Sequence, residues 1–137
     1  MRYLAIDLGD KRTGLATGDD ITNLAGPVGV IELPRGPRLM KALRDAVEEH
    51  QPDAIVLGLP LNMDGTEGER VKIVRAIGDE LARAVNRPVH YQDERLTSET
   101  ANQQLARTGR THKQKKQRRD ALAAAAILTE FLNTRAG

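Results

Sequence analysis

Cysteine is absent from all 137 residues. That excludes disulfides, thiolate zinc sites, iron–sulfur clusters and cysteine nucleophiles, and with them the usual framework of a small secreted protein. Tryptophan is absent too, and aromatic residues make up only 2% of the chain. Base stacking is therefore a poor candidate for the main way of holding a nucleic acid. No stretch approaches the ~18 apolar residues of a membrane helix. The opening MRYLAIDLGDKR breaks its apolar run with acids and bases, unlike a signal peptide. There is no internal repeat, and low complexity is confined to Ala123–Ala126. Apolar residues at 39% and charged residues at 29% suit an ordinary globular chain. The expectation is a soluble, cytoplasmic protein forming one domain over residues 1–137, long enough to bury a core but not to add a second domain of ordinary size.

Charge is present but unevenly placed. The formal net charge is only +2, yet residues 107–119 (RTGRTHKQKKQRR) contain 7 of the 21 basic residues and no acid. Without that segment, 14 basic residues face 19 acidic ones and the remainder stands at −5. A mildly acidic body thus carries one concentrated cationic strip, suited to a phosphate backbone. The alternative is a solvated basic loop with no partner.

The order of elements follows from apolar patterning and turn residues. Tyr3–Ile6 is a short apolar run ending at Asp7, as in a strand buried on both faces. Gly9-Asp10 turns the chain into a second strand at Gly14–Thr17, and Val28–Leu33 supplies a third between Gly26-Pro27 and Pro34. Gly36-Pro37 opens a helix reaching about Glu49, with Leu39, Leu43, Ala46 and Val47 on one face. AIVLGL at 54–59 is the best strand in the chain. Thr66-Glu67-Gly68-Glu69 has capping-box spacing, and Val71, Val74, Ile77, Leu81 and Val85 continue a helix behind it. Val89–Gln92 is a weaker strand. Thr97 or Ser98 caps a helix to about Arg107, ended by Gly109, and a final helix runs from about Lys116 to Asn133 after the basic loop. A hairpin meander followed by crossovers predicts an α/β fold, a mixed sheet with helices on both faces. Sites in such sheets lie at the carboxyl ends of parallel strands.

Three acidic positions fall at that edge. Asp7 closes the first strand, Asp93-Glu94 closes the fifth, and Asp120 stands in about the first turn of the last helix. At 100° per residue, Asp120 points within about 20° of Ile127 and Phe131, on the apolar side. A carboxylate there is costly unless a cation, hydrogen bonds or a metal compensates. Converging carboxylates suit Mg²⁺ or Mn²⁺, hard cations that prefer oxygen, and two such ions ~4 Å apart serve phosphodiester hydrolysis. Each residue also has a duller reading. Asp7 beside Gly9 would cap the hairpin turn. Asp120 would pair with Lys116 or favour a helix N-terminus. Glu94 would form a surface ion pair with Arg95.

D-L-G-D-K-R-T-G at 7–14 also has the form of a phosphate-binding hairpin, its glycines permitting close approach and Lys11 and Arg12 offering charge. Sugar-kinase and actin-type ATPases use a similar loop, but they require a far longer chain with a second domain. Four segments together are more specific. DLGDKRTGLA at 7–16, VLGLPLNMDG at 56–65, YQDERLTS at 91–98 and KKQRRDALAA at 115–124 resemble, in order and over nearly the whole chain, the signatures of the YqgF/RuvX family of RNase H-like nucleases.

The resemblance implies an RNase H-like five-stranded mixed sheet, a two-metal site holding Mg²⁺ or Mn²⁺, and endonucleolytic phosphodiester cleavage. It gives metal-ligand and catalytic roles to Asp7, Glu94 and Asp120, with Asp93 a supplementary ligand. Phosphate contacts fall to Lys11, Arg12, Arg95, Lys113, Lys115, Lys116, Arg118 and Arg119, and loop shaping beside the site to Gly58, Pro60, Asn62 and Gly65. The family is described both as maturing the 5′ end of pre-16S rRNA and as resolving Holliday junctions. Nothing in the residues separates a structured DNA junction from an rRNA precursor. Junction cleavage requires two symmetric sites and so a homodimer. The rival reading is a catalytically inactive RNase H-like module that only binds nucleic acid. Its expected mark is a lost carboxylate, and none is lost.

Overall fold

The computed structural model describes residues 1–94 and 112–136, with side chains over 1–94 and 120–134. Strands β1 (Arg2–Leu8), β2 (Thr13–Asp19) and β3 (Leu24–Ile31) form an antiparallel meander. Helix α1 (Pro37–His50) leads to β4 (Ala54–Leu59), parallel to β1, and α2 (Glu69–Val85) leads to β5 (Val89–Asp93), parallel to β4. The strand order is β3-β2-β1-β4-β5. Helix α3 (His112–Ala136) ends the described chain. The expected mixed five-stranded sheet is present.

Each face of the sheet has its own core, and strand alternation sorts residues between them. Leu4, Ile6, Ile55 and Leu57 pack with Leu39, Leu43 and Val47 of α1 and Val71, Val74 and Leu81 of α2. Tyr3, Ala5, Ala16, Ala54 and Val56 pack with Ala124, Ile127, Leu128, Phe131 and Leu132 of α3. This explains why β1 and β4 read as unbroken apolar runs: both of their faces are covered. The α3 side is built from small residues, so the helix sits close to the sheet. Tyr3 meets Phe131 edge-on with ring centroids 5.3 Å apart, an arrangement that adds to simple burial.

Three boundaries differ from the sequence expectation. β3 starts at Leu24, not Val28, and continues through Gly26-Pro27. As the edge strand, itself bulged at Val28 opposite Leu15 and Ala16, it tolerates a proline that has no N–H to give. α2 begins behind Gly68 without a side-chain cap. The Thr66 hydroxyl instead donates to Asp64 (2.7 Å) and accepts from Asn62 (2.9 Å) inside the preceding loop. α3 begins at His112, about one turn before the expected start at Lys116, so Lys113 and Lys115 also lie within the helix rather than in a loop ahead of it. Gln, Lys and Arg are good helix formers, and basicity does not prevent a helix. Asp120 therefore lies more than two turns inside α3, beyond the reach of the N-terminal dipole. The helix expected over residues 97–107 lies outside the described residues.

Thr13 is fully buried opposite Leu8 and Ile31, and its hydroxyl has no hydrogen-bond partner among the described residues. An unpaired buried hydroxyl costs free energy that a methyl group does not. Thr13→Val is expected to stabilise the fold by about 1 kcal/mol, read as a higher denaturation midpoint at unchanged denaturant slope. A lower midpoint would mean that the hydroxyl has a partner.

Candidate active site

Asp7 lies on the α3 side of the sheet, in line with Tyr3 and Ala5. Both of its lateral neighbours are glycines. Gly14 pairs with it across the hairpin, and Gly58 follows the paired Ile6 and Leu57 on the β4 side. Each glycine admits another element. A methyl group on Gly14 would strike the carbonyl oxygen of Asp120, and one on Gly58 would strike the Glu94 carboxylate and Ile127. The Glu94 amide donates to the Leu59 carbonyl at 3.1 Å, extending the β4–β5 ladder by one residue. Glu94 thus reaches Asp7 across the bare backbone of Gly58, although β4 separates their strands.

The two carboxyls share a hydrogen bond, and both pKa values are raised. Burial is the largest cause for each. For Glu94, pushed up to about 8, the negative Asp7 and the hydrogen bond to it add to the rise. Asp120 also raises Asp7 through its charge. Arg70, in the first turn of α2, acts in the opposite sense on both members of the pair. The Asp120 carboxylate accepts a hydrogen bond from Arg12 Nε at 2.9 Å, in an ion pair about 30% exposed on each side (32% and 28%).

The expected residues therefore divide. Asp7 and Glu94 are in contact through their carboxyls. Asp120 is beside them but held by Arg12. Asp93 follows the Leu59–Tyr91 side of the sheet by alternation and acts on Glu94 through its charge. Lys11 is exposed on the hairpin turn, whereas Arg12 is partly buried against Asp120. Arg95 lies outside the described residues, as do the side chains of Lys113, Lys115, Lys116, Arg118 and Arg119. Gly58 is a strand residue, not a loop former. Asn62 and Gly65 do shape the following loop, through the Gly65 amide on the Asn62 carbonyl at 2.8 Å. Arg70 was missed, because nothing in its spacing from Asp7 signals that α2 starts at the same sheet edge.

The donor set suits a hard divalent cation, since the side chains drawn together are carboxylates, with Asp7 and Glu94 in hydrogen-bond contact. Among the described residues, however, no three His, Asp or Glu side chains stand assembled to hold a metal ion.

A family model described as "RuvX: Holliday junction resolvase" matches residues 1–134. The chain belongs to the RuvX family. It is similar to a protein of Anaeromyxobacter sp. (strain Fw109-5), 40% identical over 135 residues and covering 98% of each chain. It is also similar to one of Dechloromonas aromatica (strain RCB), 42% identical over 131 residues, with 96% of this chain and 90% of the relative covered. Both relatives bear the provisional name of pre-16S rRNA nuclease. Family and relatives place this RuvX chain among nucleases, hydrolases of phosphodiester bonds. Among solved structures, T. thermophilus RuvC with a Holliday junction substrate superposes at TM-score 0.60, with 16% identity, over 100% of this chain and 96% of that one. Fowlpox virus resolvase with Holliday junction DNA superposes at 0.66, with 11% identity, over 100% of both chains. At these identities the likeness establishes the fold, that of RuvC-like RNase H domains.

The raised pKa values have a consequence for stability. In the absence of metal the folded pair keeps its proton up to about pH 8, whereas an unfolded Glu94 releases it near 4.5. The native state then binds more protons than the unfolded state, so stability falls as pH rises through that window. Denaturant unfolding in chelator between pH 5 and 8 is expected to show this decline. Glu94→Gln, which cannot take up the charge, should flatten it. A wild-type chain of constant stability over that range would show that no proton is shared.

Proposed function

We propose that this chain is a divalent-metal-dependent endonuclease in which Asp7, Glu94 and Asp120 hold Mg²⁺ or Mn²⁺, in a one- or two-ion site. The observation that carries this reading is the Asp7–Glu94 pair: two carboxyls drawn together over Gly58 at the carboxyl edge of a parallel strand pair, with burial as the largest cost. Two like-charged groups are kept together at such a cost where a function requires it. A bound cation would supply activation of water and stabilisation of the leaving oxygen. The chain's own residues do the rest. β1 and β4 hold Asp7 rigidly, the β5 extension aims Glu94, and Asp93 deepens the negative field around Glu94. Arg70 balances part of that field and offers its guanidinium to an incoming phosphate.

Nucleic acid is the substrate class. Lys11 on the hairpin turn, Arg12, Arg95 and the strip of Lys113, Lys115, Lys116, Arg118 and Arg119 are proposed to contact phosphates, with no role for a membrane. Among the described residues no helix is long and apolar enough to span one. The fold neighbours act on DNA junctions and the sequence relatives are named for pre-16S rRNA. Both substrates are therefore proposed for a single-domain, cytoplasmic enzyme, which would act on junctions as a homodimer. Matched four-way junction, duplex DNA and rRNA-precursor substrates, each with Mg²⁺ and with Mn²⁺, decide between them.

Cleavage is expected to stop in chelator and return with either ion. Asp7→Asn should lose turnover by about 100-fold or more while keeping nucleic-acid affinity, since removing a carboxylate also removes repulsion of phosphate. Wild-type turnover in Asp7→Asn would return Asp7 to the status of a turn residue, and an inert wild type on all three substrates would favour the non-catalytic binding module.

Replacing Lys113, Lys115, Lys116, Arg118 and Arg119 with Gln should weaken binding to every substrate. The slope of log affinity against log salt should become shallower by ~0.9 for each duplex phosphate that the strip no longer neutralises. Turnover at saturation should change far less. Circular dichroism checks that α3 persists, and an unchanged salt slope in a folded variant would assign the phosphate contacts to Lys11, Arg12 and Arg95.

A further inference from the structure

Arg12 carries two expectations that compete for one guanidinium. Its guanidinium is expected on a substrate phosphate, yet its Nε lies 2.9 Å from Asp120 Oδ2 across 108 residues of sequence. The arrangement is built rather than incidental. The Arg12 carbonyl packs so tightly on Gly9 that a methyl group there would collide with it. Asp10, two residues before Arg12, is tied to Arg35 at 2.9 Å. The hairpin tip is thus held in place, and Arg12 points from it towards α3. On the other side, the backbone of Asp120 sits directly on Gly14, so the main chain is fixed at both ends of the ion pair while the side chains stay partly exposed. The carboxylate that would complete the Asp7–Glu94 set is occupied by a cation of the protein itself, and no three-donor group is assembled among the described residues.

We infer that Arg12 is a positioning residue that withholds Asp120 from the Asp7–Glu94 pair until a substrate phosphate takes over its guanidinium. The inference rests on the metal reading above. A phosphate competes well for a guanidinium, because it accepts two parallel hydrogen bonds in the fork geometry. When Arg12 turns to it, Asp120 loses its partner and becomes available as a third oxygen donor. Cation and nucleic acid then favour each other's binding by the same factor. The donor set is complete only where a phosphodiester is in place, which limits idle occupation by metal and couples hydrolysis to a correctly seated strand.

The test is Mn²⁺ binding to the full chain without nucleic acid, followed by calorimetry and by the electron paramagnetic resonance of free Mn²⁺. Arg12→Gln is expected to bind Mn²⁺ more tightly than wild type, by roughly 2- to 5-fold for releasing a partly exposed ion pair. The same substitution in an Asp120→Asn background should give no gain, because the released ligand is then missing. With nucleic acid, Arg12→Gln should raise KM while lowering the Mn²⁺ concentration needed for half-maximal rate. If Arg12→Gln does not fold, Arg12→Lys, which keeps the charge but loses the fork, should show a smaller gain of the same kind. Equal or weaker Mn²⁺ binding in the folded Arg12 variant overturns the inference. So does a gain that persists with Asp120→Asn, since removal of a nearby positive charge would then explain it. Wild-type Mn²⁺ binding that is lost in Asp7→Asn keeps the metal reading whatever Arg12 does, whereas absence of Mn²⁺ binding in both wild type and Arg12→Gln, with and without nucleic acid, overturns both.

Discussion

The site rests on the close approach of main chain and carboxylate over two bare positions of the sheet. Gly14 and Gly58 stand on either side of Asp7, and at each a methyl group would meet another element. Over Gly14 the backbone of α3 settles on the hairpin, which brings Asp120 beside β1. Over Gly58 the carboxylate of Glu94 crosses the width of a strand. Interiors are packed too densely for a small side chain to be added without displacement. These two absences of side chain therefore set the distances among all three acidic residues, and the small residues Ala5, Ala16 and Ala54 extend the same close seating of α3 along the sheet.

That seating brings like charges together, and the structure offsets them in three ways. Asp7 and Glu94 are joined by a hydrogen bond, and both pKa values are raised, chiefly by burial. Asp120 is paired with Arg12, and Arg70 lends a positive field from the first turn of α2. On the proposed reading each device is exchangeable: a cation would displace the proton, and a phosphate would take over the guanidinium. Carboxylates held by such partners would be stable alone and receptive to a cation and a nucleic acid.

Much of the architecture was legible in the chain. The apolar runs at β1 and β4, the Pro and Gly punctuation, and the helical spacing of α1 and α2 gave the element order and the two-sided cover of the sheet. Errors arose where local chemistry has two outlets. Gly26-Pro27 reads as a boundary, yet an edge strand accepts it. Thr66 and Glu69 have capping-box spacing, yet the Thr66 hydroxyl serves the loop. The basic run reads as a loop as far as about Lys116, yet those residues favour helix, and the shift of about one turn in the start of α3 places Asp120 deeper in the helix.

The acidic residues were identifiable one at a time, because a carboxylate directly after an apolar strand or on an apolar helix face is costly to leave unpaired. Residue type and local period are written along the chain, so donor chemistry, the positions of Asp7, Glu94 and Asp120, and the cationic strip could all be read there. Partnership is written across it. That Glu94 would meet Asp7 depends on register between strands and on the missing side chain of Gly58. That Arg12 would hold Asp120 depends on where α3 crosses the hairpin, and that Arg70 would face the pair depends on where α2 begins. These are distances between elements far apart in sequence, decided by packing, and no local pattern of residues encodes them.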